Sequence, residues 1–207
     1  PAIAAKNFGM DDYFVSSEDE RILLTAEEVG YRRILRPKKL ATDSARACDV
    51  LEHAVEKIAE KIGGHQFDIL MQHANAPLYT SHKIARAMEI FNRQPELTAV
   101  VPCYKVEDLH PFRLKQVDAN GYLRNVVPVP DGTSSNRQEL PPVYALNHDF
   151  WLLRSENFFS ISSESQPPWD CMGEKIAPLF SEESRDVHTL EDLRIVEEII
   201  RKKLNHE

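Results

Sequence analysis

Side chains able to bind or transfer a chemical group gather at three places in this 207-residue chain. The first is Asp186, between an apolar stretch at 175–179 and a helical pattern that opens at Thr189. A carboxylate there suits Mg²⁺, which is usually held by one or two carboxylates together with phosphate oxygens and water. An aspartate in such a turn can equally hydrogen-bond nearby backbone. His188 adds an imidazole nitrogen, a ligand better matched to Zn²⁺ or Mn²⁺ than to Mg²⁺, although a lone histidine is more often packed or capping. The second place is Gln72, His73 and Asn75, directly after the apolar run 69–71. The third holds Arg137, Gln138, Tyr144 and Asn147. The planar fork of Arg137 fits a carboxylate or phosphate, while an arginine in a polar loop is commonly only a solvated charge. Gln138, Tyr144 and Asn147 can hydrogen-bond hydroxyl groups, or cap a turn or strand end.

The elements that must position these groups are legible in the periodicity. Ile69-Leu-Met71 follows Gly63-Gly64 and is too short for a helix, so it predicts a central strand buried on both faces. Pro77 cannot continue a ladder and Thr80-Ser81 opens a helix, which puts Gln72, His73 and Asn75 at the strand's carboxyl end, where open α/β sheets bind ligands. Upstream, residues 2–8 read as the end of a helix stopped by Gly9. Strand 13–15, helix 18–29 capped at Ser17, and strand 31–35 follow. Thr42-Asp43-Ser44 reads as the cap of a long helix carrying Val50, Leu51, Val55 and Ile58. A helix with Ile84, Ala87, Met88 and Phe91 then leads to a strand at 97–101. The alternation predicts a doubly wound α/β arrangement.

From Cys103 the helical rhythm stops. Residues 112–117 and 122–126 pair as a hairpin around Asn120-Gly121, inside a half-exposed insert spanning about 103–159. Strands at 143–146, 150–153 and 175–179 complete the sheet, and Thr189 caps a last helix with Leu193, Val196, Ile199 and Ile200 on one face. His65 and His110 read as surface loop residues.

With 42% hydrophobic residues the chain can bury one core, so residues 1–207 read as a single domain. No apolar run approaches the roughly 20 residues of a membrane span, and signal-peptide features are not seen. Cys48, Cys103 and Cys171 are widely spaced and odd in number, which argues against a disulfide framework or a cysteine metal site and for a reducing cytoplasm. The net charge of −8 gives no reason to expect nucleic acid as a partner. No G-x-G-x-x-G follows a predicted strand, which disfavours a dinucleotide enzyme.

Four blocks, in order and spanning nearly the whole chain, resemble the CMP-sialic acid synthetases (acylneuraminate cytidylyltransferases). They are residues 12–20 with Leu40-Ala-Thr-Asp-Ser44; residues 68–80; residues 136–147, similar to a RRQxLPxxYxxNG pattern; and residues 173–178 with 186–193, similar to a DIDTxEDL turn. The resemblance implies a Rossmann-like doubly wound mixed sheet of the nucleotide-diphospho-sugar transferase type, with a small extended dimerisation insert. It implies CTP and a sugar acid as substrates, pyrophosphate as product, Mg²⁺ (alternatively Mn²⁺) as cofactor, and a homodimer. On this reading Asp186 and Arg137 are catalytic, and Asp186 and His188 hold the metal. Gln72, His73, Asn75, Gln138, Tyr144 and Asn147 bind substrate, with His73, Asn75 and Arg137 in one pocket.

The departures bear on activity. The family's first strand and Gly- and Lys/Arg-rich phosphate loop have no counterpart after Pro1, so the sequence reads as incomplete, with a break expected between the strands at Tyr13 and Ile69. The family's substrate-binding Gln falls on His73, while Gln72 would face the other side of the strand. Tyr79 stands where the family has Arg, His148 where it has Gly, and His188 where it has a second Asp. A noncatalytic protein of the same fold that binds a nucleotide or sugar acid, or serves as an interaction module, is the alternative.

Overall fold

The computed structural model describes all residues except Pro1, Tyr79, 160–163, Glu183 and 205–207, so the Tyr79 departure lies outside the described residues. Helix α1 (Ala2–Phe8) ends at Gly9, whose φ of 85° is a left-handed conformation that only glycine adopts freely. Then come β1 (Phe14–Ser17), α2 (Glu20–Glu28) and β2 (Arg32–Leu35). Asp19 caps α2 by accepting the Arg21 N–H at 2.7 Å, and Ser17 in turn accepts the N–H of Asp19. The longest helix, α3, runs Ala47–Ile62. Thr42-Asp43-Ser44 does not cap it: the helix starts behind Arg46 with no side-chain cap, and the Thr42 and Ser44 hydroxyls bond each other at 3.2 Å. A local side-chain turn has outcompeted the cap.

Strand β3 (Asp68–Gln72) leads through Thr80, which caps α4 (Ser81–Arg93), into β4 (Ala99–Val106). The hairpin of β5 (Lys115–Val117) and β6 (Leu123–Asn125) projects next, followed by β7 (Val143–Leu146), β8 (Phe150–Arg154), β9 (Ile176–Phe180) and α5 (Leu190–Leu204). The main sheet is mixed and runs β3-β8-β4-β7, with β9 parallel to β4. The true centre is β4: β8 pairs with its first residues, β7 with its last, and β9 along its other edge. The expectation of a central β3 is therefore overturned. Among the described residues β3 pairs only with β8, and its side chains are at best half-buried. Strands β1 and β2 form a separate parallel pair, with the break falling where the resemblance placed it.

Helices cover both faces. On one, Ile84, Ala87 and Phe91 of α4 pack against Val100, Phe150, Leu152 and Leu179, with Phe8 of α1 alongside. On the other, Cys48 and Leu51 of α3 meet Ala99, Val101, Trp151, Leu153 and the 170–172 turn. Fully burying a side chain such as Phe91 or Leu152 contributes about 1.5–3 kcal/mol, so these two layers hold the fold together. On the second face Cys48 and Cys171 form a disulfide, contrary to the sequence expectation. Spacing along the chain is silent about two segments that pack on one sheet face, and the odd cysteine, Cys103, is free and buried. His110 is also buried: its Nδ1 accepts the N–H of Phe112, so its Nε2–H donates to the Pro141 carbonyl at 3.0 Å and pins the base of the insert. Among the described residues no helix is long and apolar enough to cross a membrane.

Candidate functional site

A cavity of about 510 Å³ opens at the edge where β3, β4 and β9 all present their carboxyl ends, and three loops build it. Leu78 comes from the loop after β3, Asn147 and His148 from the β7–β8 turn, and Ser184, Arg185, Asp186 and His188 from the loop after β9. Parallel strands leave their following loops on one edge, so distant sequence blocks converge there.

Asn147 organises the site. It is only 2% exposed; its amide donates to Ser181 Oγ at 2.7 Å and to the Glu182 carbonyl at 2.8 Å, and its oxygen accepts the Ser184 N–H at 3.0 Å. With its amide so committed, it fixes the loop that carries Asp186 rather than offering those groups to a ligand. The Asn75 carbonyl performs the same service from the other side, accepting the Val187 N–H at 2.7 Å. Asp149, 1% exposed, is ion-paired with Lys83 in the first turn of α4, so the β7–β8 turn is fastened there as well.

Asp186 is 22% exposed and its Oδ1 is buried without a hydrogen-bond partner. Its other oxygen is 4.0 Å from Nε2 of His188, which is 71% exposed. Just beyond, the Asp192 carboxylate accepts Thr189 Oγ1–H and the N–H groups of His188 and Thr189, while Thr189 Oγ1 accepts the Asp192 N–H. This reciprocal cap sets the start of α5 and, led by the Thr189 hydroxyl, holds Asp192 below the usual carboxylate range.

Behind His148 lies a cluster of aromatic edges. His73 meets His148 at 5.6 Å and Trp151 at 5.2 Å, and Trp169 reaches His148 at 5.8 Å. Burial, reinforced by His148 and opposed by Asp186, pushes the His73 pKa below the ordinary 6.5. Gln72 pairs with Phe150 and so faces the α4 layer, whereas His73 packs on Trp151 in the opposite layer.

Arg137 is not brought into this cavity. It lies in the insert, bound to Asp108 at 2.9 Å and Glu107 at 3.3 Å, and Gln138 beside it is exposed. The expected pocket of His73, Asn75 and Arg137 is thus not assembled: the first two border the Asp186 loop and the third stays with its acidic partners. Tyr144 stacks near Phe180 at 5.0 Å and stays 47% exposed. Sequence reasoning missed Arg185, Tyr104, Leu146 and Leu78, which line the cavity. Arg185 could have been found as the one cation next to Asp186.

Compared with solved structures, the chain matches CMP:2-keto-3-deoxy-manno-octonic acid synthetase complexed with CTP at a TM-score of 0.65, with 13% identity, over 98% of this chain and 87% of that one. The chain shares the fold of that synthetase. A 4-diphosphocytidyl-2C-methyl-D-erythritol synthase from Anaerococcus prevotii matches the same fold at a TM-score of 0.61, with 13% identity, over 96% of this chain and 83% of that one. In sequence the chain is 29% identical over 209 residues to Post-translational flagellin modification protein B of Campylobacter coli, covering 97% of this chain and 82% of the relative. No family model matches.

Proposed function

We propose that this protein transfers a cytidine monophosphate group from CTP to a sialic-acid-like sugar acid and releases pyrophosphate. The observation that carries the reading is the Asp186 turn: a carboxylate with one buried, unpartnered oxygen, held by Asn147 and Asn75 at the carboxyl edge of a cytidylyltransferase sheet. The sequence kinship along 97% of the chain and the CTP-bound synthetase of the same fold support it.

Mg²⁺ is the cofactor we propose, with Mn²⁺ as the alternative. The lone oxygen of Asp186 is the kind of acceptor that a hard cation satisfies, with His188 at its side. Among the described residues no three His, Cys, Asp or Glu side chains form a complete metal cage, which fits an ion that takes one or two carboxylates and fills the rest with phosphate and water. Such an ion, when bound, neutralises charge on the triphosphate. The protein's own part is positioning. Arg185, half exposed on the cavity wall and 3.8 Å from Asp192, can meet an anionic substrate, a role the sequence had suggested for Arg137. A homodimer formed through the β5–β6 insert, and the cytoplasm as compartment, complete the proposal.

The test is pyrophosphate release from CTP with Mg²⁺ or Mn²⁺ and a panel of sugar acids, using the full-length protein. Asp186→Asn keeps the side-chain size and removes the charge, and is expected to lower the rate about 10²-fold or more while leaving the fold intact. His188→Asp is expected to keep or raise the Mg²⁺-dependent rate. His188 in place of a carboxylate and the sequestration of Arg137 favour a second reading, a noncatalytic nucleotide or sugar-acid binder. No release with any substrate, together with no metal-dependent CTP binding by calorimetry, would select it.

A further inference from the structure

Both tryptophans of the chain, Trp151 and Trp169, lie in the cluster behind the cavity wall, their ring centroids 5.1 Å apart. Trp169 leans on His148, which lines the cavity. Two residues further on, Cys171 is bonded to Cys48 in the first turn of α3, and Asp170 is ion-paired with Arg46 just before that helix. Both sulfurs belong to the buried layer that contains Trp151, with Trp169 packed against it.

We propose that the Cys48–Cys171 bond is a redox-responsive tie that sets Trp169 against His148, so that the surrounding thiol–disulfide balance is read at the cavity wall. The step needs a small-molecule thiol. Both cysteines are buried, so the exchange goes through local opening of the three-residue turn that carries Cys171; the external thiolate then attacks one protein sulfur, forming a mixed disulfide and expelling the other sulfur, which takes a proton. A second external thiol then displaces the first, leaving two protein thiols and one small-molecule disulfide. Two electrons pass from the external thiols to the protein bond, and an external disulfide reverses the exchange.

The mechanical consequence follows from packing. Bonded sulfurs sit about 2 Å apart and non-bonded heavy atoms settle about 3.5–4 Å apart, so reduction parts the two sulfurs by roughly 1.5–2 Å. A close-packed layer passes such a displacement on rather than absorbing it. Cys48 is held in a 16-residue helix, whereas Cys171 sits in a three-residue 3₁₀ turn. The turn moves, and Trp169 moves with it. The Arg46–Asp170 ion pair joins the same two segments but is largely exposed, so it holds the turn only weakly once the bond is open. None of this depends on the proposed transfer reaction.

The experiment equilibrates the full-length protein in a graded series of reduced and oxidised glutathione, records tryptophan emission, then denatures and alkylates each sample for intact mass. Oxidised protein carries one alkyl group, on Cys103, and reduced protein carries three. Emission is expected to rise on reduction, because a disulfide beside an indole drains its excited state, and to share its midpoint with the alkyl count. Cys48→Ser and Cys48→Ala are expected to take two alkyl groups in every buffer and to show no emission transition. An alkyl count that never changes across the series overturns the proposal. A count that changes while emission stays flat overturns the coupling to Trp169.

Discussion

Asp186, His188 and Asn147 stand out in the sequence because each sits in a turn between two well-patterned elements and inside a block that carries the family resemblance; turn position alone fits a structural role equally well, and that is the role Asn147 plays. Arg137 had the right chemistry and the wrong neighbours: Glu107 and Asp108, some thirty residues upstream, pair with it, and no local pattern announces such partners. His110 was misread for the same reason, since its two hydrogen bonds run to Phe112 and to the distant Pro141. His73 is a partly buried imidazole facing His148 and Asp186. Its pKa is lowered chiefly by burial, so in the pH range below about 6.5 the unfolded chain takes up a proton that the folded chain resists. The unfolded state then binds more protons, and stability rises with pH. The contribution is fully present above 6.5 and is lost as pH falls toward the lowered folded pKa. His73→Gln removes the titrating group, so thermal melts from pH 7 to pH 5 should show a smaller fall in Tm for the variant than for the parent. An equal fall would mean that His73 is not the group resisting protonation.

The elements themselves were largely readable, because helical and alternating patterns report burial directly. Helices α2, α3, α4 and α5 and strands β1 to β9 all fall on predicted stretches. Caps and cross-element ties were less legible: the cap expected at Thr42 is not used, and the Lys83–Asp149 pair joins α4 to the β7–β8 turn across 66 residues with no sequence signal. That pair is the fastening most exposed to mutation. Asp149 is 1% exposed and its second oxygen has no partner, so removing the lysine strands a buried charge. Breaking one side of a buried ion pair costs about 3–5 kcal/mol, whereas replacing both sides with well-packed apolar groups of similar volume is often nearly neutral. Lys83→Met is therefore expected to lower Tm by roughly 10 °C for a chain of this size, and Lys83→Met with Asp149→Leu to recover most of that loss. Differential scanning calorimetry on the three proteins decides it. A double variant no more stable than Lys83→Met alone would show that the lost stability does not come from the unpaired carboxylate.

Strand order is the part of the whole molecule that periodicity could not supply. The apolar run at 69–71 predicts a central strand, yet among the described residues β3 pairs only with β8, while β8 and β4 each have partners on both edges, because pairing depends on which strands meet and not on how apolar each is. The Cys48–Cys171 bond likewise became visible only once α3 and the 170–172 turn had been laid on one sheet face. The insert raises the last question at this scale. An isolated two-stranded hairpin is marginal in water, and this one has every strand residue exposed. Val117, Tyr122 and Leu123 are 67%, 63% and 68% exposed, so the projection gains by covering them. A second copy of the same hairpin, related by a two-fold axis, is the cover we propose, since a closed isologous pair leaves no further sticky surface. The chain's net charge of −8 opposes self-association, so salt that screens it should strengthen the pair. Light scattering at micromolar concentration is expected to give twice the chain mass of 23.7 kDa. Leu123→Glu places like charges at the contact and should return a single-chain particle whose far-ultraviolet circular dichroism is unchanged. A parent protein that scatters as one chain across the whole salt range would rule the pairing out.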